Sequence, residues 1–140
     1  MNTKIACSIA VLTLALNGAA QAEAPKFASG LLVDAQGMTL YTFDKDAQGR
    51  SNCNGGCAAA WPPAAAATSE TGAGDFTVMT RDDGARQWAF KGAPLYRYAA
   101  DVKAGDTAGD RQGNVWHAVR TGRASEGNAT GPATGYRSSY

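Results

Sequence analysis

Apolar positions along this chain fall into short runs separated by turn residues, a pattern of strands rather than helices. Leu31–Val33 and Met38–Phe43 flank the turn-like tetrad Asp34-Ala35-Gln36-Gly37. Phe76–Thr80 and Gln87–Phe90 flank Asp82-Asp83-Gly84, and Leu95–Tyr98 follows a Gly92-Ala93-Pro94 turn. Val115–Val119 closes the series. Glycine and aspartate at these corners supply positive φ and side-chain acceptors for backbone N–H groups. One short helical turn is predicted from Gly56 to Trp61, ended by Pro62-Pro63 because proline lacks a backbone donor and restricts its predecessor. Small residues from Ala64 to Gly74 read as a linker, and the Gly-, Ser-, Thr- and Ala-rich stretch 121–140 reads as a flexible tail.

The pattern repeats. Gly37, Leu40, Tyr41, Phe43, Asp46 and Trp61 recur 55 positions later as Gly92, Leu95, Tyr96, Tyr98, Asp101 and Trp116. A fixed internal period marks one fold element used twice. The expected fold is all-β, a small barrel or sandwich of two pseudo-equivalent repeats, about 30–66 and about 86–120, within a single domain 23–120. Trp61 and Trp116 should occupy equivalent places near its core. Residues i and i+2 of a strand share a face, so Tyr41 with Phe43 and Tyr96 with Tyr98 form aromatic stripes, each with an aspartate beyond the strand end. Two readings stay open. The stripe is a core element closed by an Asx-type turn, or it is a binding surface with an acid at its rim.

The N-terminus has the order of a secretory leader. Lys4 precedes the apolar run Ile5–Leu16, about 12 residues and too short to span a bilayer. Ala20-Gln21-Ala22 is an A-x-A cleavage site, so the mature chain begins at Glu23 and residues 1–22 are removed. Cys7 lies near the start of the apolar run, where a lipidated cysteine would follow it, and it leaves with the leader. Losing Lys4 lowers the basic count from 13 to 12, against 12 acids. Such a neutral chain of interspersed signs argues against nucleic-acid partners and electrostatic membrane attachment. No later stretch is apolar enough to be a membrane span.

The duplicated Tyr-x-(Phe/Trp/Tyr)-x-x-Asp motif resembles the signature of a bacterial family of predicted lipoproteins, or secreted repeats of unknown function. The first copy adds Cys53-Asn54-Gly55-Gly56-Cys57 and Trp61-Pro62-Pro63. The second adds Gly105-Asp106-x-x-Gly109 and Val115-Trp116-His117. The likeness spans about residues 30–120. It implies export and a two-copy all-β unit, and it brings no established activity. This chain departs from lipoprotein members in lacking a lipobox.

Cys53 and Cys57 are the cysteines left after the leader. An even pair in an exported chain favours a disulfide, and Asn54-Gly55-Gly56 is flexible enough to close it. The same pair with His117, the single histidine, is a soft ligand set suited to Cu(I). Alternation from Trp116 points His117 outward. Asp44-x-Asp46-x-Gln48-Gly49 resembles the start of a calcium loop, but Gly55 stands where the bidentate glutamate is needed. Asp101, Asp106 and Asp110 form a second oxygen-rich loop, read as a solvated turn. There is no Gly-x-Ser-x-Gly elbow, zinc motif or phosphate loop, and Asp82-Asp83 fits a hairpin turn. Asn128-Ala129-Thr130 matches a glycosylation acceptor.

The functional expectation is therefore a non-enzymatic exported module, with no cofactor, that binds an envelope protein or a small ligand. Its candidate binding residues are Tyr41, Phe43, Asp46, Trp61, Tyr96, Tyr98, Asp101 and Trp116. The alternative is a periplasmic thiol-redox or Cu(I)-handling protein using Cys53 and Cys57.

Overall fold

A computed structural model describes residues 23–122. The expected leader with Cys7, the expected tail beyond residue 122 and the Asn128 acceptor pattern lie outside the described residues. Among the described residues, seven short strands run in the order β1 (Lys26–Ala28), β2 (Leu31–Val33), β3 (Tyr41–Phe43), β4 (Phe76–Thr80), β5 (Arg86–Phe90), β6 (Ala93–Pro94) and β7 (Trp116–Ala118). A short helix, α1 (Gly56–Ala60), lies between β3 and β4, and a 3₁₀ turn (Gln112–Asn114) precedes β7. The strands form three antiparallel sheets, β1-β2, β3-β7 and β4-β5-β6. They pack as a sandwich, and among the described residues no sheet closes into a barrel.

The turns are made by local chemistry. Ser29-Gly30 between β1 and β2, and Lys91-Gly92 between β5 and β6, have positive φ at both positions, which suits two-residue hairpins. The Asp34 carboxylate accepts the N–H groups of Gln36 and Met38, closing the turn before β3.

The two repeats complete each other. Leu32, Leu40 and Val119 form a ring of backbone bonds, from Leu32 N to Val119 O (2.8 Å), Leu40 N to Leu32 O (2.9 Å) and Val119 N to Leu40 O (3.1 Å). Trp88, Leu95 and Ala64 form the same ring, from Trp88 N to Ala64 O (2.8 Å), Leu95 N to Trp88 O (2.9 Å) and Ala64 N to Leu95 O (2.9 Å). The hairpin of each copy is thus joined by the last segment of the other. At the centre, Tyr41 and Tyr96 exchange backbone bonds with each other, 2.8 and 3.0 Å. These relations describe a pseudo-two-fold axis passing between the two tyrosines.

Three segments differ from the sequence pattern. β1 is exposed along its whole length, so it carries no apolar alternation to reveal it. The strand expected over Leu95–Tyr98 is reduced to a bridge at Tyr96, and regular pairing falls earlier, at Ala93–Pro94. The small-residue linker begins as a paired segment instead. Pro63 bridges Tyr96, Ala65 bridges Gln87, and Ala64 is buried. Alanines read as linker because they are small, yet small side chains are what this packed position holds.

Two apolar clusters fill the interior. Leu32, Leu40, Ala64, Trp88 and Leu95 form one, and Tyr41, Cys53, Trp61, Tyr96 and Trp116 form the other. Gly109 sits against the second. A Cβ there would lie 2.7 Å from Trp61 and 2.9 Å from Tyr98. Gly109→Ala should therefore destabilise the protein by about 1–3 kcal/mol, as overpacking does, measured as a lower denaturant midpoint at unchanged slope.

Candidate functional site

The motif residues converge on the axis. Phe43 stacks on Trp116 (centroids 4.2 Å), Trp116 on Trp61 (3.8 Å, planes within 3°) and Trp61 on Tyr98 (4.3 Å). Tyr41 meets Trp61 edge-on at 5.4 Å, and Tyr96 meets Trp116 edge-on at 5.2 Å. The stack is therefore symmetric, each copy giving one tryptophan, one edge-on tyrosine and one outer ring. Each such pair adds about 0.5–1.5 kcal/mol beyond area burial. Tyr41 and Tyr96 are wholly buried, Trp61 and Trp116 nearly so, and Phe43 and Tyr98 half-buried.

The aspartates cross between copies. Tyr41 Oη donates to Asp101 Oδ2 at 2.6 Å, and Tyr96 Oη donates to Asp46 Oδ2 at 2.7 Å. The second oxygen of each carboxylate accepts a backbone N–H of its own loop, Ala108 for Asp101 (2.9 Å) and Asn52 for Asp46 (2.7 Å). Each aspartate thus shapes its own loop and holds the tyrosine of the other repeat. Burial pushes the Tyr41 phenol well above its ordinary value, and the bond to Asp101 and that carboxylate's charge push it further. Tyr96 is raised chiefly by burial, and Asp46 adds to the rise. Burial also raises Asp46, against the lowering effects of the Asn52 N–H, the Tyr96 hydroxyl and the Arg81 charge.

A second polar network adjoins the first copy. Ser51 Oγ lies 2.6 Å from Tyr96 Oη. The buried Arg81 guanidinium donates to Ser51 Oγ (2.9 Å), Gln87 Oε1 (2.7 Å), Cys53 O (2.7 Å) and Asn54 Oδ1 (3.2 Å). Arg81, Ser51 and Gln87 were not singled out in the sequence. Arg81 stands beside Asp82-Asp83, where a charge reads as exposed, and the only hint of burial is its position at the end of an apolar strand. Cys53 and Cys57 form a disulfide with Cα atoms 5.2 Å apart. Cys53 is fully buried against the aromatic cluster, and Cys57 is half-buried in α1.

His117 Nε2 lies 2.8 Å from Asp44 Oδ2 on the partly exposed face of β7. Among the described residues, no three His, Cys, Asp or Glu side chains are grouped to hold a metal ion. The acidic loops do not converge on empty space. Asp106 accepts the Val102 and Lys103 N–H groups, which lower its pKa. Burial would raise Asp110, but the Ala118 N–H and the Arg120 guanidinium outweigh it and hold it low.

The repeat limits and the crossed motif coincide with a known family. A secreted repeat of unknown function matches residues 28–65 and 77–120, two copies covering more than half of the chain. The chain belongs to that family. Both matches end on paired segments, Ala65 and Arg120, which bridge Gln87 and Leu31 of the opposite copy. No curated protein and no solved structure matches the chain. The secreted-repeat family is described as exported, and no helix among the described residues is long and apolar enough to cross a membrane.

The raised phenols give a pH signature. A folded-state pKa above the unfolded value makes a contribution that is intact below the ordinary phenol value of 10.0 and is lost as pH rises above it. Stability should fall above about pH 10 by about 1.4 kcal/mol per pH unit for each of the two phenols. Denaturant melts of Tyr41→Phe/Tyr96→Phe should show a much shallower alkaline loss. An equal slope in the variant would place the alkaline sensitivity elsewhere.

Proposed function

We propose that this chain is an exported envelope module, free in the periplasm or secreted rather than lipid-anchored, that binds or supports a partner without turnover. The observation that carries this reading is the use made of the motif's reactive groups. The Tyr41 and Tyr96 hydroxyls and the Asp46 and Asp101 carboxylates are buried or half-buried and engage one another across the repeats. A nucleophile needs an adjacent base open to substrate, and these carboxylates already hold phenols. Export is supported by the leader pattern and by the family's description as secreted. The position of Cys7 early in the apolar run supports a mature chain without a lipid.

A cleft of about 270 Å³ offers a place for a small ligand. Pro25, Pro62 and Pro63 wall it, Trp88 lines it, and the Asp34–Arg97 ion pair (3.2 Å) borders it. Among the described residues, the buried Trp88 Nε1–H has no hydrogen-bond partner. The motif residues serve this module as its frame, and ligand contact falls to surfaces around them.

The second reading, thiol-redox or Cu(I) handling, is favoured by one feature. Cys57 is half-buried beside the fully buried Cys53, so it would be the more accessible member of a reduced pair.

Thermal unfolding of the mature protein, oxidised and reduced, each with and without Cu(I), separates the two readings. A ligand of the native state raises the midpoint by mass action. The binding-module reading expects no copper-specific rise. It also expects a loss on reduction below the roughly 3 kcal/mol of a 15-residue loop, because this ring is smaller. A large copper-specific rise in the reduced protein, lost in Cys53→Ser, would transfer the function to the cysteine pair.

A further inference from the structure

We infer that the aromatic stack is a path for one-electron oxidation, with Tyr41 and Tyr96 as its proton-coupled ends. Four features of the geometry carry this. The indoles of Trp61 and Trp116 are stacked parallel within 3° at 3.8 Å, close enough for an electron vacancy to be shared between them. Each indole touches one buried tyrosine, at 5.4 Å for Tyr41 and 5.2 Å for Tyr96. Each of those phenols already points its proton at a carboxylate oxygen, 2.6 and 2.7 Å away. The two nearby cysteines are joined as a disulfide, so neither thiol competes as an easier site of oxidation.

The electrons and protons balance as follows. A one-electron oxidant, an oxidised metal complex or a radical, takes an electron from Trp61 and leaves an indole radical cation. Tyr41 passes an electron to Trp61 and its hydroxyl proton to Asp101 Oδ2. The products are a reduced oxidant, a neutral Trp61, a neutral phenoxyl radical and a protonated Asp101. Trp116, Tyr96 and Asp46 perform the same step in the other copy. A one-electron reductant restores the phenolate charge, and the aspartate returns the proton. The motif then has a reason for each member, with tyrosine as the oxidised group, the second aromatic as the outer ring of the stack, and aspartate as the proton acceptor. The bonds that dock the two repeats thus also give each phenol a proton acceptor already in place.

The test is flash oxidation of the disulfide-bonded mature protein with photogenerated ruthenium(III) tris-bipyridine, followed by transient absorption and electron paramagnetic resonance. Tyr98→Phe, Tyr136→Phe and Tyr140→Phe together leave Tyr41 and Tyr96 as the only tyrosines. Phenylalanine is tolerated in the stack at the equivalent position 43. A tryptophanyl signal should decay into a tyrosyl signal, and this transfer should slow in heavy water because a proton moves with the electron. Adding Asp46→Asn and Asp101→Asn should abolish the tyrosyl signal and prolong the tryptophanyl one. If those asparagine variants fail to fold, the heavy-water comparison decides by itself. A radical that stays on tryptophan in the parent, a transfer insensitive to heavy water, or a tyrosyl yield unchanged by the asparagines would overturn the inference.

Discussion

The Tyr41–Asp101 and Tyr96–Asp46 hydrogen bonds, crossing between the two copies, are the constraint on which the remaining structure depends. Each carboxylate has one oxygen on its own loop and one on the other copy's phenol, so loop shape and inter-repeat docking are set by the same group. The backbone exchange between Tyr41 and Tyr96 holds the two tyrosines side by side, and each meets one ring of the stacked Trp61–Trp116 pair edge-on. Losing one phenol hydroxyl would leave a carboxylate Oδ2 without its partner, at a cost of about 1–3 kcal/mol. A repeat of this kind does not finish its own sheet, because its hairpin is closed by the last segment of its neighbour. That is a physical reason for the motif to occur as a pair.

The copies are equivalent in their aromatic frame and different in how their loops are tied. In the first, the loop after the aspartate is clipped by Cys53–Cys57 and gripped by Arg81, whose guanidinium reaches Cys53 O and Asn54. Arg81 comes from the longer β4–β5 connection; the matching β1–β2 connection is only Ser29-Gly30. In the second copy, the loop is tied by Asp110, which accepts the Ala118 N–H and pairs with Arg120. One frame thus carries two separately secured loops. The buried Arg81 lies close enough for its charge to temper the burial-driven rise of Asp46, which joins the disulfide loop electrostatically to the Tyr96 site.

Much of this was legible in the sequence because the period of 55 residues aligned turn, aromatic and acid together. Turn glycines and strand runs gave the all-β class, and the Cys53–Cys57 spacing was compatible with the bridge. Strand alternation could not say whether Tyr41 and Tyr96 faced core or solvent, because aromatic stripes look alike in both settings. The crossing of the aspartates was hidden as well. An acid five residues after a tyrosine suggests a local partner, while the real partner lies in the other copy. β1 was invisible because an exposed edge strand has no buried face to impose a pattern. Ala64–Ala66 was read as linker because alanine marks neither strand nor turn.

The central claim is that the duplicated motif acts between repeats, and a pair of double-mutant cycles tests it most directly. Stability would be measured for Tyr41→Phe, Asp101→Ala and their combination, and for Tyr41→Phe, Asp46→Ala and theirs. The account predicts a coupling energy well outside the 0.3–0.5 kcal/mol scatter of independent sites, of order ~1 kcal/mol or more, for Tyr41 with Asp101, and additivity for Tyr41 with Asp46. Coupling within the copy and additivity between copies would contradict it.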